Sequence, residues 1–243
     1  MRHLIATLFA VMSIAHVCAQ NVPTIEASTP IADSNPIKQW TTSFSAIDVD
    51  APIKLKLIKI GKDDAPYIIY DTKGVYTSKF TAETDKNGVL KIRERNDLKR
   101  ESITEVEVYF NELGDIAISK ADTSVEGTLS SPLLDIRISS DAKFVADIDV
   151  MDLMIDITGK CRVVLSGKAL YQTAEIASAE YDAFDLESMS TVVTSAHNAI
   201  VKVNASQRLE AKTATGGKIY YNTYPEILRR EIPVFGGEIT MTK

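Results

Sequence analysis

Three groups of side chains in this 243-residue chain carry chemistry beyond packing. The first is the acidic run Asp147-Ile148-Asp149-Val150-Met151-Asp152, where Asp147 and Asp149 share one face of an extended strand and Asp152 follows on a turn. Calcium wants several oxygens converging on one point, and calcium-binding solenoids supply them from Gly-rich nonapeptides ending in Asp. The chain has no such nonapeptide. The run reads as a solvated outer face, with Arg137 and Asp156 as a ladder pair across neighbouring turns of chain. The second group is His197 with Cys161. A Ser-His-Asp site would have to use His197, which follows Thr194-Ser195-Ala196 and therefore reads as a turn residue facing solvent. Cys161 occupies a small-residue step and reads as a packed apolar side chain. The third is the aromatic cluster Tyr220, Tyr221 and Tyr224, a candidate patch for a ligand or partner. The same residues would also close an apolar core end, and a terminal repeat needs such a cover.

Motifs with a defined mechanism are missing. The sequence has no Gly-rich phosphate loop, no HExxH, no CxxC and no nucleophile elbow. No catalytic, cofactor-binding or metal-binding residue is assigned, and the chain reads as a non-enzyme that needs no cofactor.

The N-terminus reads as an export signal. Arg2 and His3 precede an apolar stretch from Leu4 to Val17, and Val17-Cys18-Ala19 puts a small residue at the cut, so residues 1–19 are expected to be a cleaved signal peptide. The stretch is too short to span a membrane. Cys18 allows a lipoprotein anchor as a second reading, against which stands Val17 where a small residue normally precedes the lipidated Cys. Cleavage would remove His3, His16 and Cys18, leaving His197 and Cys161 as the sole histidine and cysteine. One cysteine makes no disulfide framework, so stability must come from buried core. The remaining 26 basic and 33 acidic residues give a net charge of −7, which disfavours nucleic acid and anionic membrane surfaces. Residues 20–38, with Pro23, Pro30 and Pro36 among Ser, Thr, Asp and Asn, read as a flexible tether or a disordered terminus. One domain over residues 39–243 follows.

The elements that would position these groups come from a repeat at about residues 113–224. One apolar column runs Ile118, Ile138, Ile157, Ile176, Val193, Ala211, at steps of 20, 19, 19, 17 and 18. A second runs Val125, Phe144, Val163, Phe184, Val201, Ile219, at steps of 19, 19, 21, 17 and 18. Apolar and polar residues alternate around each anchor, which marks strands. A unit under about 22 residues is too short for a crossover helix between parallel strands. It suits a coil of strands that buries its apolar face against the coils above and below. The expected fold is an all-β, right-handed parallel β-helix or β-solenoid. An antiparallel β-sandwich is the alternative.

Between the strands lie small-residue steps: Thr158-Gly159-Lys160-Cys161, Ala177-Ser178-Ala179, Thr194-Ser195-Ala196 and Thr215-Gly216-Gly217. The run from Ile157 to Ala169, ITGKCRVVLSGKA, resembles the head GIN domain of putative auto-transporter adhesins, a bacterial family largely of unknown function. The family closes on an aromatic segment, a Pro and a Gly-rich last strand, matched here by Ile219-Tyr220-Tyr221-Asn222, Pro225 and Gly236-Gly237-Glu238-Ile239. The resemblance covers about Phe44 to the C-terminus and brings no catalytic residues. It departs at Ser178 and Ser195, where the family pattern often has Gly, so those two bends are expected to differ in backbone conformation.

Upstream, strands are expected around Phe44–Val49, Ile53–Leu57, Tyr67–Tyr70, Lys79–Thr84, Val89–Ile92 and Thr104–Phe110, with a hairpin at Asn87-Gly88 and a charged loop over Asn96–Ser102. They are expected to form irregular coils or a small meander that caps the first open edge of the solenoid.

Three functions fit this inventory. The first is an exported binding or structural module of the cell envelope, adhesin-like, at the periplasm, the outer membrane or the cell surface. The second is a carrier or sensor of lipid or glycan. The third is a β-helix enzyme acting on polysaccharides, which would need acidic and basic residues clustered in one groove. The partner is accordingly an envelope protein, a glycan or a lipid, and not nucleic acid.

Overall fold

The computed structural model describes residues 35–73, 79–95, 102–233 and 236–242. The expected signal peptide, most of the tether and most of the charged loop lie outside these residues.

Five long strands make the body: β9 (Asp122–Ser139), β10 (Lys143–Thr158), β11 (Arg162–Ala177), β12 (Glu180–Ala196) and β13 (Ile200–Thr213). Each pairs in parallel with the next, which settles the fold as a β-solenoid and excludes the antiparallel sandwich. Each long strand bends once and gives its halves to two different faces. The first half of β13 pairs with β14 (Lys218–Tyr221), whereas its second half pairs with β15 (Ile227–Glu231). Strand β16 (Glu238–Met241) then ends the β14 face.

The residue pattern explains the bend. Along β10 the buried positions are Phe144, Ala146, Ile148 and Val150, then Leu153, Ile155 and Ile157. Alternation holds within each half and slips by one residue between Val150 and Leu153, so Met151 and Asp152 both point away from the core. The chain turns a corner there, and both halves face inward across one shared core. Full burial of each such Ile or Leu contributes about 1.5–3 kcal/mol, against the entropy of ordering the coil.

The N-terminal strands join the stack out of sequence order. Strands β2 (Ala46–Asp50) and β3 (Lys54–Lys59) form a coil between β8 (Asp115–Ser119) with β9 on one side and β6 (Val89–Glu94) with β7 (Glu105–Phe110) on the other. Antiparallel strands finish that end: β4 (Tyr67–Asp71) on β7, β1 (Ile37–Trp40) on β4, and β5 (Phe80–Thr84) on β6 through the Asn87-Gly88 hairpin. The N-terminal part is thus half coil and half cap.

Register corrects the two columns read from sequence. One true column is Ile118, Ile138, Ile157, Ile176, Ser195, Thr213, so Val193 is two residues early. The other is Thr123, Phe144, Val163, Tyr181, Val201, Ile219, so Val125 and Phe184 are misplaced. Bulges between Val164 and Gly167 and between Ala183 and Ser188 absorb residues unevenly, and equal spacing cannot follow them.

The turns between coils share one conformation. Ser140, Asp141, Ser178, His197, Asn198 and Thr215 all have φ between 44° and 64°, alongside Gly159 at 85°. The Ser178 bend therefore does not differ as expected, because its short side chain adopts the same left-handed state at modest cost. Ser195 is not a bend residue at all. It is the penultimate residue of β12, with its hydroxyl buried and donating to the Ala199 carbonyl, and the bend falls on His197 and Asn198.

Candidate functional site

The side chains singled out from sequence do not converge. Asp147 accepts hydrogen bonds from Thr128 Oγ1 at 2.6 Å and Ser166 Oγ at 3.1 Å. Asp149 lies two residues along the same face, and Asp152 lies past the corner. Among the described residues no group of three or more His, Cys, Asp or Glu side chains is placed to hold a metal ion. Arg137 and Asp156 are register neighbours on β9 and β10, as the ladder reading expected, but the guanidinium makes its salt bridges elsewhere. It forms a bidentate contact with Asp115 at 2.6 and 2.9 Å and reaches Asp135 at 3.3 Å. Its register neighbour on β8 is the small Ala117, which leaves the guanidinium room to reach Asp115.

His197 is exposed on its turn, where its backbone N–H donates to Thr215 Oγ1. Cys161 is buried, its thiol donating to the Thr158 carbonyl, and burial pushes the thiol pKa up. The three tyrosines do not form one patch. Tyr221 is 2% exposed and packs in the core, whereas Tyr224 is 72% exposed. Tyr220 is half-buried, with its hydroxyl 3.5 Å from Glu238 Oε2.

A concavity lies elsewhere, along the corner of coils β10 to β12. It is a groove of about 660 Å³ that runs across the strands. Its floor is the register column Val150, Ala169 and Ser188. All three side chains are buried, so the floor is their backbone between two outward-facing columns. One wall is the column Asp149, Lys168 and Glu187. The other is the corner row Met151, Leu170 and Met189. Exposed Leu133, Met154, Tyr171 and Val192 continue the apolar surface around the corner. The β13 end is polar and consists of Asn204, Ser206 and Thr223.

Under the floor lies a buried polar network. Gln172 Nε2 donates to Tyr181 Oη, Ser188 Oγ lies 3.0 Å from Thr191 Oγ1, and Ser188 Oγ also donates to the Asn204 carbonyl at 2.7 Å. Burial pushes the Tyr181 phenol up, so it stays neutral. A satisfied network of this kind fixes the floor in one arrangement. The groove can bind and orient a ligand; no nucleophile paired with a base lines it.

A second surface was absent from the sequence reading. Trp40, Tyr67 and Tyr109 stand in one outward register column across β1, β4 and β7. Tyr67 and Tyr109 stack at 4.2 Å, and Lys38 Nζ sits 4.1 Å from the Trp40 ring centroid and 3.6 Å from that of Tyr67. The Tyr109 hydroxyl donates to Glu107, which with burial pushes its pKa up to about 12. Trp40, the single tryptophan of the chain, is 62% exposed.

Comparison with known proteins agrees with this architecture. A putative adhesin from Bacteroides fragilis superposes with a TM-score of 0.77 at 16% identity, covering 86% of this chain and 97% of the other. A putative lipid binding protein from Parabacteroides distasonis gives 0.68 at 15% identity, with coverages of 86% and 97%. A putative adhesin from Parabacteroides merdae gives 0.67 at 16%, with coverages of 85% and 96%. At these identities the likeness is one of fold. No curated protein matches the sequence. The family described as putative auto-transporter adhesin, head GIN domain, matches residues 43–225, most of the coil stack and its N-terminal cap. By that match this chain belongs to the head GIN domain family of putative auto-transporter adhesins.

Proposed function

We propose that this chain is an exported, non-catalytic binding module of the cell envelope that seats the apolar chain of an amphiphile in its corner groove. Export rests on residues 1–19 as a signal peptide, with residues 20–38 as a tether and residues 39–243 as the single folded domain. One observation carries the ligand reading: a row of apolar side chains, with Met151 and Leu170 exposed and Met189 half-buried, lines the groove beside a floor whose own side chains turn into the core. Four coils at about 4.8 Å spacing make a track roughly 14 Å long. A groove of this volume falls in the usual range for small-ligand sites, and each methylene buried in it contributes about 0.8 kcal/mol. The Parabacteroides distasonis neighbour, described as a putative lipid binding protein, supports the same reading.

The test uses Nile red, a neutral apolar dye. It should brighten on the protein, be displaced by dodecanol, and fail to bind Leu170→Glu at an unchanged melting temperature. A dye that ignores the protein, or binds the variant equally well, refutes the proposal.

The Trp40 column supports a second reading, adhesion to glycans, because an exposed indole offers a face for sugar C–H groups. Saccharide binding would shift Trp40 fluorescence, and Trp40→Ala would lose binding on a glycan array. A glycan that binds wild type and Trp40→Ala alike removes this reading.

A further inference from the structure

The hydrogen-bond directions at the β13 end of the groove select the ligand's head. Two hydroxyls, those of Ser206 and Thr223, line that end beside the buried Ser188, and each proton is already committed inside the protein. Ser188 Oγ donates to the Asn204 carbonyl at 2.7 Å, Ser206 Oγ donates to the Ser188 carbonyl at 3.1 Å, and Thr223 Oγ1 donates to Asn204 Oδ1 at 2.6 Å. The Asn204 amide donates to the Phe184 carbonyl at 3.3 Å. What these groups turn to the groove is therefore mostly lone pairs. A head that only accepts hydrogen bonds, such as a carboxylate or a phosphate diester, meets acceptors with acceptors and loses its hydration without replacement.

Charge points the same way. The polar end is lined by Asn204, Ser206 and Thr223, without a cation. The adjoining wall carries Asp149, Lys168 and Glu187, two negative charges around one positive. None of the three forms a salt bridge with another described residue. The groove's field is mildly negative and repels anionic heads. Along the axis the lining runs from Val150, Met151 and Leu170 to Ser206 and Thr223, so chain and head have fixed ends.

We infer that the groove binds an amphiphile with an uncharged, hydroxyl-rich head, as in a glycolipid, its chain along Met151 and Leu170 and its hydroxyls donating to Ser206 and Thr223. This rests on the apolar-chain reading above, and the test separates the two.

The full protein is titrated by calorimetry, below the critical micelle concentrations, with four ligands sharing one dodecyl chain: dodecyl maltoside, dodecanoate, dodecylphosphocholine and dodecylamine. Free maltose is the fifth. The maltoside should bind at least tenfold tighter than dodecanoate and dodecylphosphocholine and no more weakly than dodecylamine, and maltose should not bind detectably. Ser206→Ala/Thr223→Val should lower maltoside affinity about tenfold and close its margin over dodecanoate. If no dodecyl compound binds, the apolar-chain reading itself falls. If dodecanoate or dodecylphosphocholine binds within tenfold of the maltoside, or dodecylamine binds tighter than it, the head assignment is overturned while the chain reading stands. Maltose binding as tightly as its dodecyl glycoside would overturn the amphiphile and leave a sugar site.

Discussion

Three Gly→Ala substitutions separate two costs that a coil stack imposes on its backbone. Gly127 has φ +77° and nothing within 4 Å of an added Cβ. Gly217 has no positive φ, but an added Cβ would lie 2.2 Å from Ser195 O and 2.5 Å from Ser195 C. Gly167 has both problems: φ +101°, and an added Cβ 2.1 Å from Ile148 O and 3.0 Å from Ile148 N. Ile148 is its register partner on β10, so the clash pushes directly on the spacing between coils. Restoring ordinary contact, 3.4 Å or more, requires the strands to part. Neither partner can yield by a rotamer change, since the atoms are backbone. Gly127→Ala should cost about 1 kcal/mol, the left-handed penalty less the entropy it removes from the unfolded chain. Gly217→Ala should cost about 2–3 kcal/mol as overpacking. Gly167→Ala should cost about 3–5 kcal/mol, adding backbone strain to the flanking ladder hydrogen bonds it disturbs. Urea denaturation followed by circular dichroism measures each from the midpoint, provided the slope is constant across the series. Gly167→Ala within about 1 kcal/mol of Gly127→Ala would show that the coils tolerate local parting and would refute the steric reasoning.

Other outcomes follow from single sites. Tyr221→Ala should destabilise the protein by about 3–5 kcal/mol, whereas Tyr224→Ala should change stability by less than about 0.5 kcal/mol; equal effects would contradict the buried and exposed placements. Asp85 is held below its ordinary pKa of 3.8 by Lys91 and by the N–H groups of Val89 and Asn87. A depressed carboxylate stabilises where it is ionised, so its contribution is complete above 3.8 and drains as pH falls through the lowered value. Asp85→Asn should flatten the acid side of the stability profile, and a carbon-13 titration of Asp85 with a midpoint at or above 3.8 would contradict it. Cys161 should resist a thiol reagent in the native state at mildly alkaline pH and react on unfolding, since burial raises its pKa and blocks access.

The fold was legible because its signal is periodic. Ile138, Ile157 and Ile176 recur at the step of one coil and do form one column. Legibility failed where spacing became uneven. Past the register shift between Val164 and Gly167, Ile176 pairs with Ser195 and not with Val193, and only backbone pairing reveals it. The insertion of β2 and β3 between later strands was equally hidden, since no local pattern encodes which coil a strand will stack on. The aromatic column of Trp40, Tyr67 and Tyr109 joins residues from three separate strands for the same reason.

The groove is a different matter, because its signal was in the sequence and went unused. Alternation identifies what points inward, and attention to alternation treats a break in it as noise. Yet Met151, Leu170 and Met189 recur at steps of 19, in phase with the coil and at the position where parity slips. A residue beside a parity slip sits at a corner, and a corner residue faces water whatever its type. Solvation should favour polar side chains there, and coils β10, β11 and β12 each place a large apolar one instead. Buried positions explain their own hydrophobicity by packing; exposed Met151 and Leu170 cannot, and half-buried Met189 does so only in part. A periodic pattern that costs solvation in three successive coils needs a bound apolar partner to offset it, which is why the corner, and not the acidic run or the terminal tyrosines, carries the binding proposal.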